Sequence, residues 1–136
     1  MSGRIFIDTN VLVYAYSNDD LSKKASAADA LQTPDAWLST QVLTEFANVY
    51  HRKLKIGWPQ VERVVEQLSV EFSIQTNTAA TITHATRLAQ RYGFSWFDAL
   101  IVAAALECGC QTLYSEDLQD GQLVEGSLRV LNPFRI

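Results

Sequence analysis

Short apolar segments alternate with pairs of helical segments along this chain, and this alternation strongly limits the folds that it can adopt. The first apolar segment, residues 4–7, ends at Asp8 and is typical of a buried strand. Taken in order, the segments follow the pattern β-α-α-β-α-α-β-α-α-β-β. This order predicts an α/β fold with a mainly parallel central sheet of four to five strands, flanked by helices on both faces.

The boundaries of these segments follow from apolar spacing and from capping residues. Asn10, Thr40 and Thr78 are suited to cap the first, third and fifth predicted helices, and Gly93 is a stop for the fifth. The predicted strands are residues 4–7, 37–39, 72–75, 111–114 and 128–131. The predicted helices are residues 11–16, 21–31, 40 to about 53, 59–68, 78–92 and 95–109.

Length and composition narrow the class of protein. The 136 residues fit a single domain spanning 1–136, and a hydrophobic content of 48% argues against disorder. No apolar stretch reaches transmembrane length, and the N-terminus lacks a signal-peptide pattern. Cys108 and Cys110 are too close for an ordinary disulfide and too few for a zinc site, so we expect small buried residues at a helix end. The expected location is the cytoplasm.

The net charge of −4, from 15 acidic and 11 basic residues, argues against a passive nucleic-acid binder. An acidic protein can still act on phosphates when divalent cations neutralise a cluster of carboxylates.

Four acidic residues are candidates for such a cluster. Parallel sheets of this kind bind ligands at the carboxyl ends of their strands. Asp8 ends the first strand, Glu45 lies in the helix after the second, Asp98 opens a late helix, and Asp117 follows the strand at 111–114. Carboxylates gathered at one place repel each other and persist when they bind a cation. Ligands made only of oxygen favour Mg²⁺ or Mn²⁺, and neither His51 nor His84 is expected to be a ligand.

Each of the four has a structural alternative. Asp8 can cap the helix that follows it, although Asn10 is the better placed of the two residues for that task. Glu45 flanks the apolar stripe of its helix and can extend from the edge of the core. Asp98 follows Ser95 at capping-box spacing. It stands at the start of a helix, residues 95–109, that is apolar almost all round and is therefore predicted to be largely buried. Asp117 lies in a polar segment where a turn is the ordinary explanation.

The ordered set of motifs resembles PIN-domain nucleases, and in particular the VapC-type toxins of prokaryotic toxin–antitoxin pairs. The matching pieces, spread over nearly the whole chain, are Ile7-Asp8-Thr9-Asn10, Glu45, Ser95-Trp96-Phe97-Asp98-Ala99, Ser115-Glu116-Asp117 and Asn132-Pro133-Phe134.

The resemblance implies a PIN-like fold and a metal-dependent endoribonuclease that cuts RNA, often tRNA or rRNA, with one or two Mg²⁺ or Mn²⁺ ions. Asp8, Glu45, Asp98 and Asp117 would be the metal ligands. Thr9, Asn10 and Ser115 would orient them. The resemblance further implies a homodimer and a cognate antitoxin protein that blocks the site.

Within the loop after the fourth strand, the alternation of an extended chain puts Ser115 and Asp117 on one side and Glu116 on the other. Asp117 is therefore expected to be the fourth ligand, and Glu116 a bystander or salt-bridge partner. One helical turn after Asp117 would return Asp120 to the same side, as an outer or second-metal ligand.

The densest basic segment runs from His51 to Lys55. Arg52, Lys53 and Lys55 are candidate contacts for RNA phosphates, and the alternative is a cationic helix end favoured by the helix dipole.

Three other functions compete with a nuclease. An aspartyl-phosphate phosphatase or a receiver-type signalling domain also carries an aspartate after its first strand. The phosphatase needs a second aspartate where this chain has Asn10, and both need a late lysine, whereas the lysines are Lys23, Lys24, Lys53 and Lys55. A catalytically inactive PIN-like binding protein is the third, and the presence of all four acids argues against it.

Overall fold

The computed structural model describes residues 3–135, and within them six short strands form one sheet. The strands are β1 (Ile5–Ile7), β2 (Ala36–Ser39), β3 (Ser73–Gln75), β4 (Thr112–Tyr114), β5 (Leu123–Val124) and β6 (Leu128–Leu131). The helices are α1 (Thr9–Ala15), α2 (Leu21–Leu31), α3 (Thr40–Arg52), α4 (Trp58–Glu71), α5 (Ala79–Tyr92) and α6 (Trp96–Glu107).

The strand order across the sheet is β3-β2-β1-β4-β6-β5, and every neighbouring pair is parallel except β5 with β6. Strand β1 lies between β2 and β4, with Ile7 opposite Tyr114. The predicted α/β fold with a mainly parallel sheet is therefore confirmed. The prediction of four to five strands was wrong by one, because β5 has two residues and gives no apolar period in the sequence.

Helix α6 forms the centre of the core. Its seven consecutive residues 99–105 are all buried, and the helix packs against α5 and against β2 and β3. This confirms the prediction that an apolar helix at 95–109 is buried. Because α6 is enclosed along most of its length, its first turn, with Asp98, is fixed in position beside the sheet.

The helix termini show which capping predictions were right. Thr78 caps α5 in a capping box with Thr81, and Gly93 ends that helix with a left-handed φ of 74°, as predicted. The prediction for Asn10 was wrong, since Asp8 is the N-cap of α1 and Asn10 lies in its first turn. The prediction for Thr40 was wrong by one residue, because the Ser39 hydroxyl accepts the hydrogen bond from the Val42 amide.

Two further features concern the ends of the elements. Cys108 and Cys110 are buried and unbridged just after α6, as expected. Helix α4 extends beyond the predicted 59–68 at both ends.

Among residues 3–135, the helices are all too short or too polar to cross a bilayer.

The capping box of α5 provides a test of these local determinants. We expect Thr78→Ala to lower the free energy of unfolding by about 1 kcal/mol, because it removes the side chain that accepts from the Thr81 amide. Thr83→Ala is the matched control, since Thr83 lies exposed within the same helix and alanine has the higher helix propensity. Urea unfolding measures both, and equal stability of the two variants would contradict the assignment of the cap.

Candidate active site

Asp8 and Ser115 meet where β1 and β4 end. The Asp8 amide donates to the Tyr114 carbonyl at 3.0 Å, which continues the β1–β4 pairing by one residue. The Ser115 hydroxyl donates to Asp8 Oδ2 at 2.8 Å. The two parallel strands therefore place both side chains at the same end of the sheet. This is the carboxyl end of the strands, where sheets of this kind bind their ligands.

The Asp8 carboxylate is almost completely buried, with 4% of the residue exposed. Besides the Ser115 bond, its Oδ1 accepts from the Thr9 amide at 2.7 Å, and its Oδ2 is 3.4 Å from Asn10 Nδ2. The pKa of Asp8 is raised to about 7. Burial is the main cause, and the negative charges of Asp98 and Asp117 add to it, whereas the hydrogen bonds from Ser115 and Thr9 lower the pKa. A carboxylate in such surroundings is stabilised by an added cation.

Asn10 connects Asp8 to the loop that contains Asp117. Its Nδ2 donates to Asp117 Oδ2 at 3.0 Å, and its Oδ1 accepts from the Glu116 amide at 3.2 Å. The Ser115 hydroxyl also accepts from the Asp117 amide at 3.2 Å. Asn10 therefore holds the acidic loop against α1, a role that explains its presence better than the helix cap predicted from sequence.

Glu45 joins the cluster from α3. The Thr9 hydroxyl donates to Glu45 Oε1 at 2.6 Å, and Gln41 Nε2 donates to Glu45 Oε2 at 3.1 Å. The same Gln41 amide group donates to the Phe97 carbonyl at 3.3 Å, and its oxygen accepts from Asn77 at 3.3 Å. Sequence reasoning missed Gln41, although its position one helical turn before Glu45 could have indicated the contact.

Asp98 lies in the first turn of α6 and is half-buried. Ser95 makes no side-chain cap to this helix, so the alternative explanation of Asp98 as part of a capping box was wrong. The negative charge of Asp98 contributes to the raised pKa of Asp8. Asp98 is therefore free of a capping role and close enough to Asp8 to act on it.

Glu116 is a salt-bridge partner, one of the two roles predicted for it. It accepts from the Tyr14 hydroxyl at 2.9 Å and forms a salt bridge with Lys23. The Lys23 ammonium also lies 4.8 Å from the Tyr14 ring and 5.5 Å from the Phe134 ring. Hydrogen bonds to Glu116 and Tyr14 raise the pKa of Lys23. The salt bridge ties the acidic loop to α2.

Asp120 does not join the other acids, contrary to the expectation from sequence. Residues 115–120 form no helix, and the chain turns at Gly121 towards β5. Asp120 instead accepts from the Asn132 amide at 2.8 Å and lies 4.0 Å from Arg135, beside a separate cavity of about 480 Å³.

A cleft of about 710 Å³ opens over the acidic cluster. Glu45, Glu116 and Asp117 line it together with Thr9, Asn10 and Lys53. Arg52 lines a smaller hollow next to it, which shares Asn48, Val49 and Lys53 with the cleft. The structure therefore brings Lys53 to the cleft and Arg52 to its margin, whereas Lys55 lines neither.

The donor set suits a hard divalent cation, because carboxylate, hydroxyl and amide oxygens are what such ions prefer. Within residues 3–135, no three acidic, histidine or cysteine side chains are grouped closely enough to ligate one ion as they stand. Thr9 and Asn10 lie between the carboxylates and hydrogen-bond to them. The Thr9 hydroxyl and the Asn10 amide group therefore hydrogen-bond to carboxylate oxygens that a cation would coordinate.

Comparison with known families assigns the chain to a class. The model of the PIN domain family matches residues 5–119, a span that contains all four predicted acids and the strands that position them. The chain therefore belongs to the PIN domain family. A search of curated proteins found no match.

Solved structures share the fold at low sequence identity. VapC20 of Mycobacterium tuberculosis, described as a sarcin-ricin loop cleaving toxin, is 23% identical with a TM-score of 0.67, over 83% of this chain and 89% of that chain. A toxin–antitoxin complex from Klebsiella pneumoniae is 24% identical with a TM-score of 0.72, over 97% and 99%. DNA-bound VapBC from Salmonella typhimurium is 17% identical with a TM-score of 0.68, over 98% and 99%. At these low identities, the TM-scores establish a common fold.

The raised pKa of Asp8 makes stability depend on pH. A carboxyl whose pKa is higher in the folded protein favours folding when protonated. The contribution of Asp8 is therefore complete below the unfolded pKa near 3.8 and is lost as the pH rises to about 7. We expect Asp8→Asn, in chelator, to become more stable than the wild type as the pH rises through that range, by up to roughly 4 kcal/mol.

Urea unfolding at several pH values in EDTA measures this difference. Asp29→Asn, at an exposed position on α2, is the control and should follow the pH profile of the wild type. If the stability difference between Asp8→Asn and the wild type stayed constant from pH 4 to pH 8, Asp8 would not titrate in this range.

Proposed function

We propose that this protein is a divalent-metal-dependent endoribonuclease and the toxin of a toxin–antitoxin pair. The observation that carries the proposal is the buried Asp8 carboxylate, which faces the charges of Asp98 and Asp117 without a basic side chain to neutralise it among residues 3–135. Membership of the PIN domain family and the resemblance to VapC-type toxins support the same function.

Asp8, Glu45, Asp98 and Asp117 would hold Mg²⁺ or Mn²⁺. When bound, such an ion lowers the pKa of a water molecule and stabilises negative charge on the phosphate. Its charge would also stabilise the ionised form of Asp8, whose pKa is raised mainly by burial and in smaller part by the charges of Asp98 and Asp117.

The surrounding residues orient the acids. Ser115 and the Thr9 amide fix the Asp8 carboxylate, Asn10 fixes Asp117, and the Thr9 hydroxyl with Gln41 fixes Glu45. Orientation of this kind matters because loss of such partners typically lowers metal affinity or activity roughly 10- to 100-fold. In the proposed reaction, water adds to the phosphorus and the bond to the 3′-oxygen breaks, which leaves a 5′-phosphate and a 3′-hydroxyl.

Single-stranded or looped RNA, as in tRNA or rRNA, is the proposed substrate class. VapC20, which shares the fold, is described as cleaving the sarcin-ricin loop. Lys53 in the cleft and Arg52 at its margin offer positive charge to the phosphates on one side of the acids. Such a substrate places the protein in the cytoplasm.

We further propose that the protein forms a homodimer and binds a cognate antitoxin protein. Several proteins with this fold were solved as toxin–antitoxin complexes, and some of those complexes are DNA-bound. The sheet continues past the matched residues 5–119 through β5 and β6, which supports one domain spanning residues 1–136.

Removal of metal and of individual acids tests the proposed reaction. We expect the purified protein to cleave RNA in Mg²⁺ or Mn²⁺ and to stop in EDTA. We expect Asp117→Asn to reduce cleavage by more than the roughly 100-fold that loss of an outer partner causes. Asp120→Asn is the matched control, because the structure places Asp120 beside another cavity, and it should cleave like the wild type.

Cleavage is followed on a labelled RNA, and Mn²⁺ affinity is measured by calorimetry for each variant. Full activity in chelator, with contaminating nucleases excluded by parallel purification of Asp117→Asn, would overturn the proposal. Greater damage from Asp120→Asn than from Asp117→Asn would show that the cluster is assigned wrongly.

The basic residues at the end of α3 generate a separate prediction. If Arg52 and Lys53 contact phosphates, replacing both with glutamine weakens RNA binding and lowers the slope of log affinity against log salt by roughly 0.7 for each lost contact. Arg87→Gln, an exposed change on α5, should leave the slope unchanged. Binding titrations at several salt concentrations measure the slopes, and an unchanged slope for the double variant would leave only the helix-dipole role for these residues.

A further inference from the structure

The start of α6 exposes two large aromatic side chains, Trp96 and Phe97. Trp96 is 41% exposed and Phe97 is 63% exposed. They are the first two residues of α6, the helix in which residues 99–105 are all buried. Exposed aromatic side chains are groups on which nucleic-acid bases can stack. We propose that this aromatic pair is the surface on which bases of the RNA substrate stack, an inference that rests on the proposed function.

The position of the pair is the first argument. The Phe97 carbonyl accepts from Gln41 Nε2 at 3.3 Å, and the same nitrogen donates to Glu45 at 3.1 Å. Asp98, the acid whose charge acts on Asp8, is the next residue in the chain. One side chain, Gln41, therefore separates the aromatic pair from the acids proposed to act on the phosphate.

The direction of α3 is the second argument. Gln41, Glu45, Val49 and Lys53 recur every four residues, so they lie along one side of the helix. Phe97 contacts this row at its beginning and Lys53 lies at its end. The row is roughly 20 Å long, from 13 residues at about 1.5 Å each. An extended RNA strand that follows this row reaches both the aromatic pair and Lys53, with Glu45 between them.

Electrostatics supply the third argument. The chain has a net charge of −4, and the acids repel a polyanion. Arg52 and Lys53 offset this repulsion at the end of the row that Lys53 occupies. Near Asp98, affinity for RNA needs a contribution that does not depend on positive charge. Stacking of bases on aromatic side chains provides one, and it tolerates any base because every base has a π face.

The experiment compares Phe97→Ala with the wild type in binding to a labelled single-stranded RNA. Ca²⁺ replaces Mg²⁺, because it also takes oxygen ligands, and a gel checks that the RNA stays intact. We expect Phe97→Ala to bind roughly five- to 150-fold more weakly, the range that one lost stack produces. Phe97→Tyr should bind like the wild type, and Trp96→Ala is a second variant of the pair. Val70→Ala, which shortens an exposed apolar side chain on α4, is the matched control and should not change affinity.

A set of RNAs with a single abasic position identifies the stacked base. At that position, the abasic RNA should bind the wild type as weakly as the intact RNA binds Phe97→Ala, and the two changes together should add little. Two results would overturn the proposal. One is unchanged affinity in both Phe97→Ala and Trp96→Ala. The other is weaker binding that accompanies a fall from dimer to monomer mass, which would assign the pair to a contact between two copies of the chain.

A cleavage assay on the wild type separates this inference from the proposed function. If the wild type cleaves no RNA in Mg²⁺ or Mn²⁺, the proposed function fails. If it cleaves RNA while the aromatic variants bind normally, only the stacking surface is wrong.

Discussion

The parallel pairing of β1 with β4 is the constraint on which the candidate site depends. It sets Ile7 opposite Tyr114 and continues through the hydrogen bond from the Asp8 amide to the Tyr114 carbonyl. Asp8 and Ser115 therefore leave the sheet side by side and hydrogen-bond to each other. A slip of one residue would turn their side chains to opposite faces. The contact of Asn10 with the acidic loop would be lost with them.

The site is electrostatically unfavourable without a cation. Asp8 is buried near two other acids, and the groups that stabilise it are neutral donors, Ser115 and the Thr9 amide. Lys23 forms its salt bridge with Glu116 and not with Asp8. A site arranged in this way has more negative charge than its own protein compensates, which is the property that a divalent metal centre requires.

Glu45 is positioned by residues from three parts of the chain. Gln41 holds it from α3, accepts from Asn77 before α5 and donates to the carbonyl of Phe97 at the start of α6. This link connects the acidic cluster to the exposed aromatic pair. Gln41 thus orients Glu45 and also binds the main chain at the proposed stacking surface. A change at the aromatic pair is therefore expected to alter the orientation of Glu45, and a change at Glu45 to alter the position of the pair.

Much of the fold and of the candidate site could be predicted from the sequence. The alternation of strands with helix pairs determined the mainly parallel sheet, and the apolar residues 99–105 determined a buried helix. The cap at Thr78 and the stop at Gly93 were readable because their chemistry is local. Asp8 and Asp117 were predicted as ligands because they follow strands, at the edge where parallel sheets bind ligands. Glu45 and Asp98 were predicted from the helices next to those strands, and the role of all four as metal ligands stays a prediction.

Only the tertiary structure decided which polar residue does which task. Asp8 and Asn10 have similar capping chemistry, and the backbone geometry at the end of β1 gave the cap to Asp8 and freed Asn10 to hold Asp117. Asp120 lies away from the other acids because the chain turns at Gly121, and its carboxylate accepts a hydrogen bond from the Asn132 amide. These contacts join residues far apart in sequence, and no local period or propensity encodes them. Sequence patterns determined the elements because those depend on neighbouring residues, whereas the roles of single polar groups depend on partners that only folding brings near.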